Sequence, residues 1–111
     1  MVAIMNKEKN IIVGPKQESI KDFISQLNND YPELLEKNVI VDLSEIIISK
    51  VSEILVFLNI AKSHLNNDTS FVIIASGFNI DSLPDELIVA PTMIEALDII
   101  EMDEIGRDLG F

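Results

Sequence analysis

Apolar and polar positions fall along the chain in short blocks that read as alternating strands and helices. NIIVGP (10–15) is an apolar run stopped by Gly14-Pro15, and VAIM (2–5) precedes it across the polar NKEKN turn, which predicts an opening hairpin. Ile20, Phe23, Ile24 and Leu27 then recur at i, i+3, i+4 and i+7, one stripe of a helix of about three turns. NNDYPELLEKN should break that helix, with Asp30, Pro32 and Glu33 capping a single further turn. NVIVDL (38–43) and SFVIIAS (70–76) are near-continuous β-branched runs, the pattern of strands covered on both faces of a largely parallel sheet. A helix over about 51–66 joins them into a right-handed βαβ unit. A short LPDEL segment leads to a last strand, IVAP (88–91), and Thr92 with Glu95 forms a capping box ahead of a helix that starts near residue 93. The predicted order is ββαβαβ(short α)βα, an α/β sandwich built on a small mixed sheet of four to five strands.

Length and composition narrow this picture. A chain of 111 residues that is 48% hydrophobic, without repeats or a Pro/Ser-rich linker, is expected to form one domain over residues 1–111. Its apolar runs stay well below the ~18 residues of a membrane span, and MVAIMNKEKN lacks the features of a secretory leader, so a cytoplasmic protein is expected. There is no cysteine, which removes disulfide and thiolate chemistry. The net charge is −11, and residues 81–111 alone hold nine acids against one base, a surface that repels phosphate backbones and argues against nucleic acid as a partner.

Two stretches, VDLSEI (41–46) and APTMIEALDII (90–100), together with the order of elements around them, resemble STAS domains, the sulphate-transporter and anti-sigma-factor-antagonist modules. The resemblance spans nearly the whole chain. It implies a STAS-like fold and a regulatory role exercised by binding other proteins. Regulatory members carry Asp-Ser-x-Gly at the start of the helix after the Asp-Leu-Ser strand, and that serine accepts phosphate. The corresponding positions here are Lys50, Val51 and Glu53, so the resemblance does not carry a phospho-acceptor over. Ser49 and Ser52 are its neighbours. A phosphate on either would meet the positive end of a helix but be repelled by Glu45 and Glu53, and the simpler expectation is that one of them is the N-cap.

The helix from Val51 has a core stripe of Val51, Ile54, Leu55, Leu58 and Leu65, with Val56, Phe57 and Ile60 nearly opposite, beside Glu53 and His64. That second apolar face is either covered by another part of the chain or offered to a partner. The last helix repeats the question: Met93, Ala96, Leu97 and Ile100 make its core stripe, while Ile99, Met102, Ile105 and Leu109 either bend over the sheet or dock a second subunit as a homodimer.

Candidate chemistry is sparse. Asp42 ends a strand without a local His, Cys or Lys partner, and its expected role is to bond backbone N–H groups of the following loop. His64, the single histidine, is expected to interact with the C-terminal end of its helix. One histidine cannot supply the ligand set of a zinc hydrolase, so the residues do not support a metallo-hydrolase of the ribonuclease Z kind. IDSLPDE and EMDEIGRD lack the spacing of a calcium loop and read as solvated surface, and Gly14 and Gly77 are isolated, without a phosphate-binding pattern. No catalytic residue, metal or cofactor is therefore expected. The expected function is a non-catalytic protein-interaction module that contacts its partner through Ser49, Lys50, Val51, Ser52, Glu53, Val56, Phe57 and Ile60, the partner being an anti-sigma-factor-like kinase or an enzyme. The alternative is a domain that binds a nucleotide or lipid; a hydrolase using Asp42 and His64 ranks third.

Overall fold

The β-branched runs pair as a single five-stranded sheet in a computed structural model that describes residues 2–7, 10–15, 19–46, 50–76 and 80–110. Strands β1 (Val2–Lys7) and β2 (Asn10–Gly14) form the expected antiparallel hairpin. Strands β3 (Asn38–Asp42), β4 (Phe71–Ile74) and β5 (Ile88–Ala90) then add in parallel, giving the spatial order β1-β2-β3-β4-β5. Side-chain alternation explains why β3 and β4 read as unbroken apolar runs. Val39, Val41, Phe71 and Ile73 enter one core, whereas Ile40, Val72 and Ile74 enter another on the opposite face.

Helix α1 (Ile20–Leu34), the short helix α2 (Ser52–Leu55) and helix α3 (Leu58–Asn66) all pack into the first core, through Phe23, Leu27, Ile54, Phe57, Ile60 and Ala61. Helix α4 (Met93–Asp108) packs into the second, through Ala96 and Ile100 with Met93 and Ile99 at its border. The result is three layers, with helices on both sheet faces. The element order matches the expectation, apart from the division of the middle helix into two and the replacement of the LPDEL segment by a 3₁₀ turn at Ile80–Ser82. Thr92 is the N-cap of α4, its hydroxyl accepting the Glu95 N–H at 3.2 Å. Among the described residues no helix is long and apolar enough to cross a membrane.

Two expectations about helices fail. Helix α1 does not break at residues 28–31 but continues through Pro32 to Leu34. A proline in the last turn removes one N–H bond from the ladder rather than interrupting a long one, so burial of Phe23, Leu27 and Leu34 carries the helix through. The second failure concerns the helix after β3, whose core stripe keeps Ile54 and Leu58 as expected but also takes in Phe57 and Ile60, which were expected to face outward. Phe57 is 0% exposed and Ile60 is also buried, whereas Leu65, assigned to the core stripe, is 62% exposed. The chain leaves α2 at Val56 and re-enters helix after Phe57, and the stripe that faces the sheet is Ile54, Phe57, Ile60, Ala61 and His64. Its spacing is as regular as the expected one. It was masked because His64 counts as polar, although here the ring is buried and stacks on Phe71 with centroids 5.4 Å apart. Phe57 and Ile60 are therefore core residues and offer no surface to a partner.

Candidate functional site

Three regions could carry function: the β3–α2 junction, a polar cluster at the amino ends of the strands, and the outer face of α4. At the junction, β3 delivers Asp42 to the carboxyl ends of the parallel strands, where its Oδ1 accepts the Ser44 N–H at 2.9 Å. The carboxylate thus shapes the turn that leaves the strand, the role expected for it. Gly14 lies alongside, and a Cβ there would stand 2.8 Å from the Asp42 carbonyl oxygen, so close strand approach explains this glycine without a phosphate ligand.

Ser49 lies outside the described residues. Ser52 is the first residue of α2, one position too late for the cap expected of it; the cap position is Val51, which makes no capping side-chain bond. Glu53 serves the helix start instead, its Oε1 accepting the Lys50 N–H at 3.1 Å. Of the expected contact set, Lys50, Ser52 and Val56 are exposed, Val51 and Glu53 are half-buried, and Phe57 and Ile60 belong to the core. Leu55, expected in the core stripe, joins Val56 at the surface.

The polar cluster has no counterpart in the sequence expectations. Asn10 and Asn38 begin β2 and β3 and face each other in register. The buried Asn38 amide donates to Asn10 Oδ1 at 3.0 Å and to Glu104 Oε1 at 3.3 Å, while its Oδ1 accepts the Ser70 N–H at 2.9 Å. Ser70 Oγ donates to Asp103 Oδ2 at 2.9 Å and accepts from Arg107 Nη1 at 3.4 Å. EMDEIGRD is thus more than solvated surface, because Asp103, Glu104 and Arg107 tie the last turns of α4 to the starts of β3 and β4, and Asn38 links these to Asn10 on β2. The buried Ser70 hydroxyl, bonded to Asp103 and Arg107, joins the end of α4 to the start of β4. The signal available in sequence was the shared strand opening of NIIVG and NVIVD, each beginning with Asn.

His64 adjoins this cluster without entering it. The Thr69 hydroxyl donates to the Leu35 carbonyl at 2.9 Å, which leaves Thr69 Oγ1 to accept from His64 Nδ1 at 2.7 Å and assigns the ring hydrogen to Nδ1. Burial lowers the imidazole from 6.5 to about 4, so the ring is neutral and does not serve as a cation at the helix end, contrary to expectation. The unfolded chain takes up this proton first as pH falls. The stability that neutral His64 contributes is therefore complete above pH 6.5 and drains away between 6.5 and about 4. Relative to His64→Gln, which has no proton to gain, the wild type should lose about 2–3 kcal/mol more between pH 7.5 and 4.5. Urea midpoints for both proteins across that range check this, and parallel curves would contradict it.

The outer side of α4 is unlike an ordinary solvated helix face. Ile94 is 73% exposed, Met102 72%, Leu109 65% and Ile105 51%, with Leu97 less so. Met102, Ile105 and Leu109 therefore do not bend over the sheet, the first of the two roles expected for them; only Ile99 packs against it. Beside Met102, between α3, β5 and the end of α4, lies an open cavity of ≈ 380 Å³ lined in part by Leu65, Ile88, Glu86 and Asp103. On the other side of α4, toward β2, Leu97, Ile100, Glu101, Glu104, Ile105 and Asp108 line a groove of ≈ 400 Å³. Among the described residues no group of three or more His, Cys, Asp or Glu side chains could hold a metal ion. Family models and curated proteins yield no match to this chain.

Proposed function

We propose that this chain is a non-catalytic, cytoplasmic protein-interaction module of STAS-like architecture, whose main docking surface is the outer face of α4. The observation that carries the reading is the set of four large apolar side chains on α4 and its C-cap Leu109, each more than half exposed, on the only helix packed against the second sheet face among the described residues. Scattered apolar residues are ordinary on surfaces, but several large ones on one side of one helix are a common feature of contact sites. The STAS-like assignment is supported by the order of elements, by Asp42 at the end of β3 and by the Thr92 cap. Regulation by a phosphoserine at the family position is not part of the proposal, since Lys50, Val51 and Glu53 occupy it. The exposed Lys50, Ser52, Leu55 and Val56 form a smaller second surface next to half-buried Val51 and Glu53.

The nucleotide or lipid alternative draws less support. The strands lie in sequence order without reversal, so the sheet has no topological switch point, where doubly wound folds open their ligand crevice.

The double variant Ile105→Glu/Leu109→Glu tests the proposal. Both side chains are exposed, so the unfolding free energy should stay within about 1 kcal/mol of wild type. Quantitative affinity capture from cell extract should recover the specific partner at least about tenfold less efficiently with the variant, the loss expected from removing central apolar contacts. Equal recovery by the two folded proteins would refute the α4 surface.

A further inference from the structure

We infer that the outer face of α4 and the groove beside it take a basic amphipathic helix, rather than a second copy of this chain. The inference rests on the interaction-module reading and names the partner's chemistry.

Geometry indicates a helix. Five strands at about 4.8 Å spacing make a sheet roughly 20 Å wide, and a helix with its side chains is about 10 Å across, so each face accommodates two. The first face carries two helical layers side by side, α1 and the α2–α3 pair, whereas the second carries only α4 among the described residues. Helix α4 packs mainly against β3, β4 and β5, and the groove runs between it and Asn10 at the start of β2. The groove wall includes Leu97 and Ile105, both partly exposed, so an incoming helix would meet apolar side chains on α4 along much of its length.

Charge decides which helix. At about 100° per residue, Leu97, Asp108, Glu101, Ile94, Ile105, Asp98, Leu109, Met102 and Glu95 follow one another around an arc of about 160°. Apolar and acidic side chains thus share one surface, with no cation among them; Arg107, the only base of the helix, is turned to Ser70. All four acids in this arc are exposed. A second copy would set four carboxylates against four more around its apolar contacts, and like charges brought together across an interface are costly. A helix with Leu-type anchors at i, i+3, i+4 and i+7, flanked by Lys or Arg, satisfies both components.

An 18-residue peptide with leucines at those positions and lysines elsewhere is the probe, read by fluorescence anisotropy on the full chain at low and moderate salt. It is compared with the same peptide carrying Glu for Lys and with one of equal charge broken by two central prolines. The basic helix should bind, more weakly as salt rises, and Ile105→Glu should weaken it by about tenfold or more although it adds a negative charge; Val56→Glu should leave it unchanged. Circular dichroism establishes that both variants are folded. Equal binding of the proline-broken peptide, equal binding to Ile105→Glu, or no binding of the basic helix at low salt would each overturn the inference. So would a dimer in sedimentation that Ile105→Glu dissociates. If peptide binding fails while capture from extract still depends on Ile105 and Leu109, the basic helix is wrong and the interaction module stands. If both fail, the module itself is wrong.

Discussion

Phe57→Ala should remove about 3–5 kcal/mol of folding free energy, a large part of the roughly 5–15 kcal/mol that holds a domain of this size together. The ring is fully buried where α2 gives way to α3, and its centroid lies 6.2 Å from that of Phe23 and 6.3 Å from that of Phe71. It therefore joins α1, the α2–α3 pair and β4 at one point. Truncation would remove the contacts to all three at once and leave a cavity that strands and helices cannot both close. Val56, its neighbour, is 48% exposed, and Val56→Ala should change stability by no more than about 0.5 kcal/mol. Urea unfolding of the two variants checks the pair. Similar midpoints for both would mean that the buried stripe has been assigned to the wrong side of the helix.

Asn38→Ala should cost about 2–4 kcal/mol, more than its small loss of apolar area would suggest. One amide satisfies a buried backbone N–H, that of Ser70, and two side-chain acceptors, on Asn10 and Glu104. Alanine leaves the Ser70 N–H without its acceptor at the start of β4, and it frees the last turns of α4 from one of their two ties to the sheet. Asn38→Asp sharpens the test, because it keeps an acceptor for Ser70 but sets a carboxylate against Glu104. Its destabilisation should be larger at pH 7 than at pH 4.5, where protonation relieves the repulsion. Denaturant midpoints of the two variants at both pH values give the answer, and a wild-type midpoint for Asn38→Ala would remove the cluster from the account.

The strands and the last helix were legible in the sequence because their signals are local. β-Branched runs such as NVIVD and FVII, the stop at Gly14-Pro15, and Thr92 three residues ahead of Glu95 each specify structure within a few residues. The middle helix was misread for an equally physical reason. Two apolar stripes compete between Val51 and Leu65, and the one that wins includes a histidine kept neutral by burial, a circumstance that becomes visible only once β4 is packed against it. The polar cluster was out of reach because its partners are 28 to 66 residues apart in the chain, as in Asn38 with Asn10 and with Glu104. The candidate surface was half legible. The apolar surplus of Met102, Ile105 and Leu109 stood out in the sequence, whereas the expected face of Val56, Phe57 and Ile60 lost two of its three members to the core.

Site-specific photo-crosslinking tests the central claim most directly. A photoreactive phenylalanine analogue is placed at Ile105 on α4, at Val56 beside the junction, and at Lys62, an exposed control on α3. In cell extract, a docking face on α4 predicts a discrete protein adduct from position 105, at most a minor one from 56 and none from 62. Adducts of equal yield from all three positions, or from 56 alone, would contradict it.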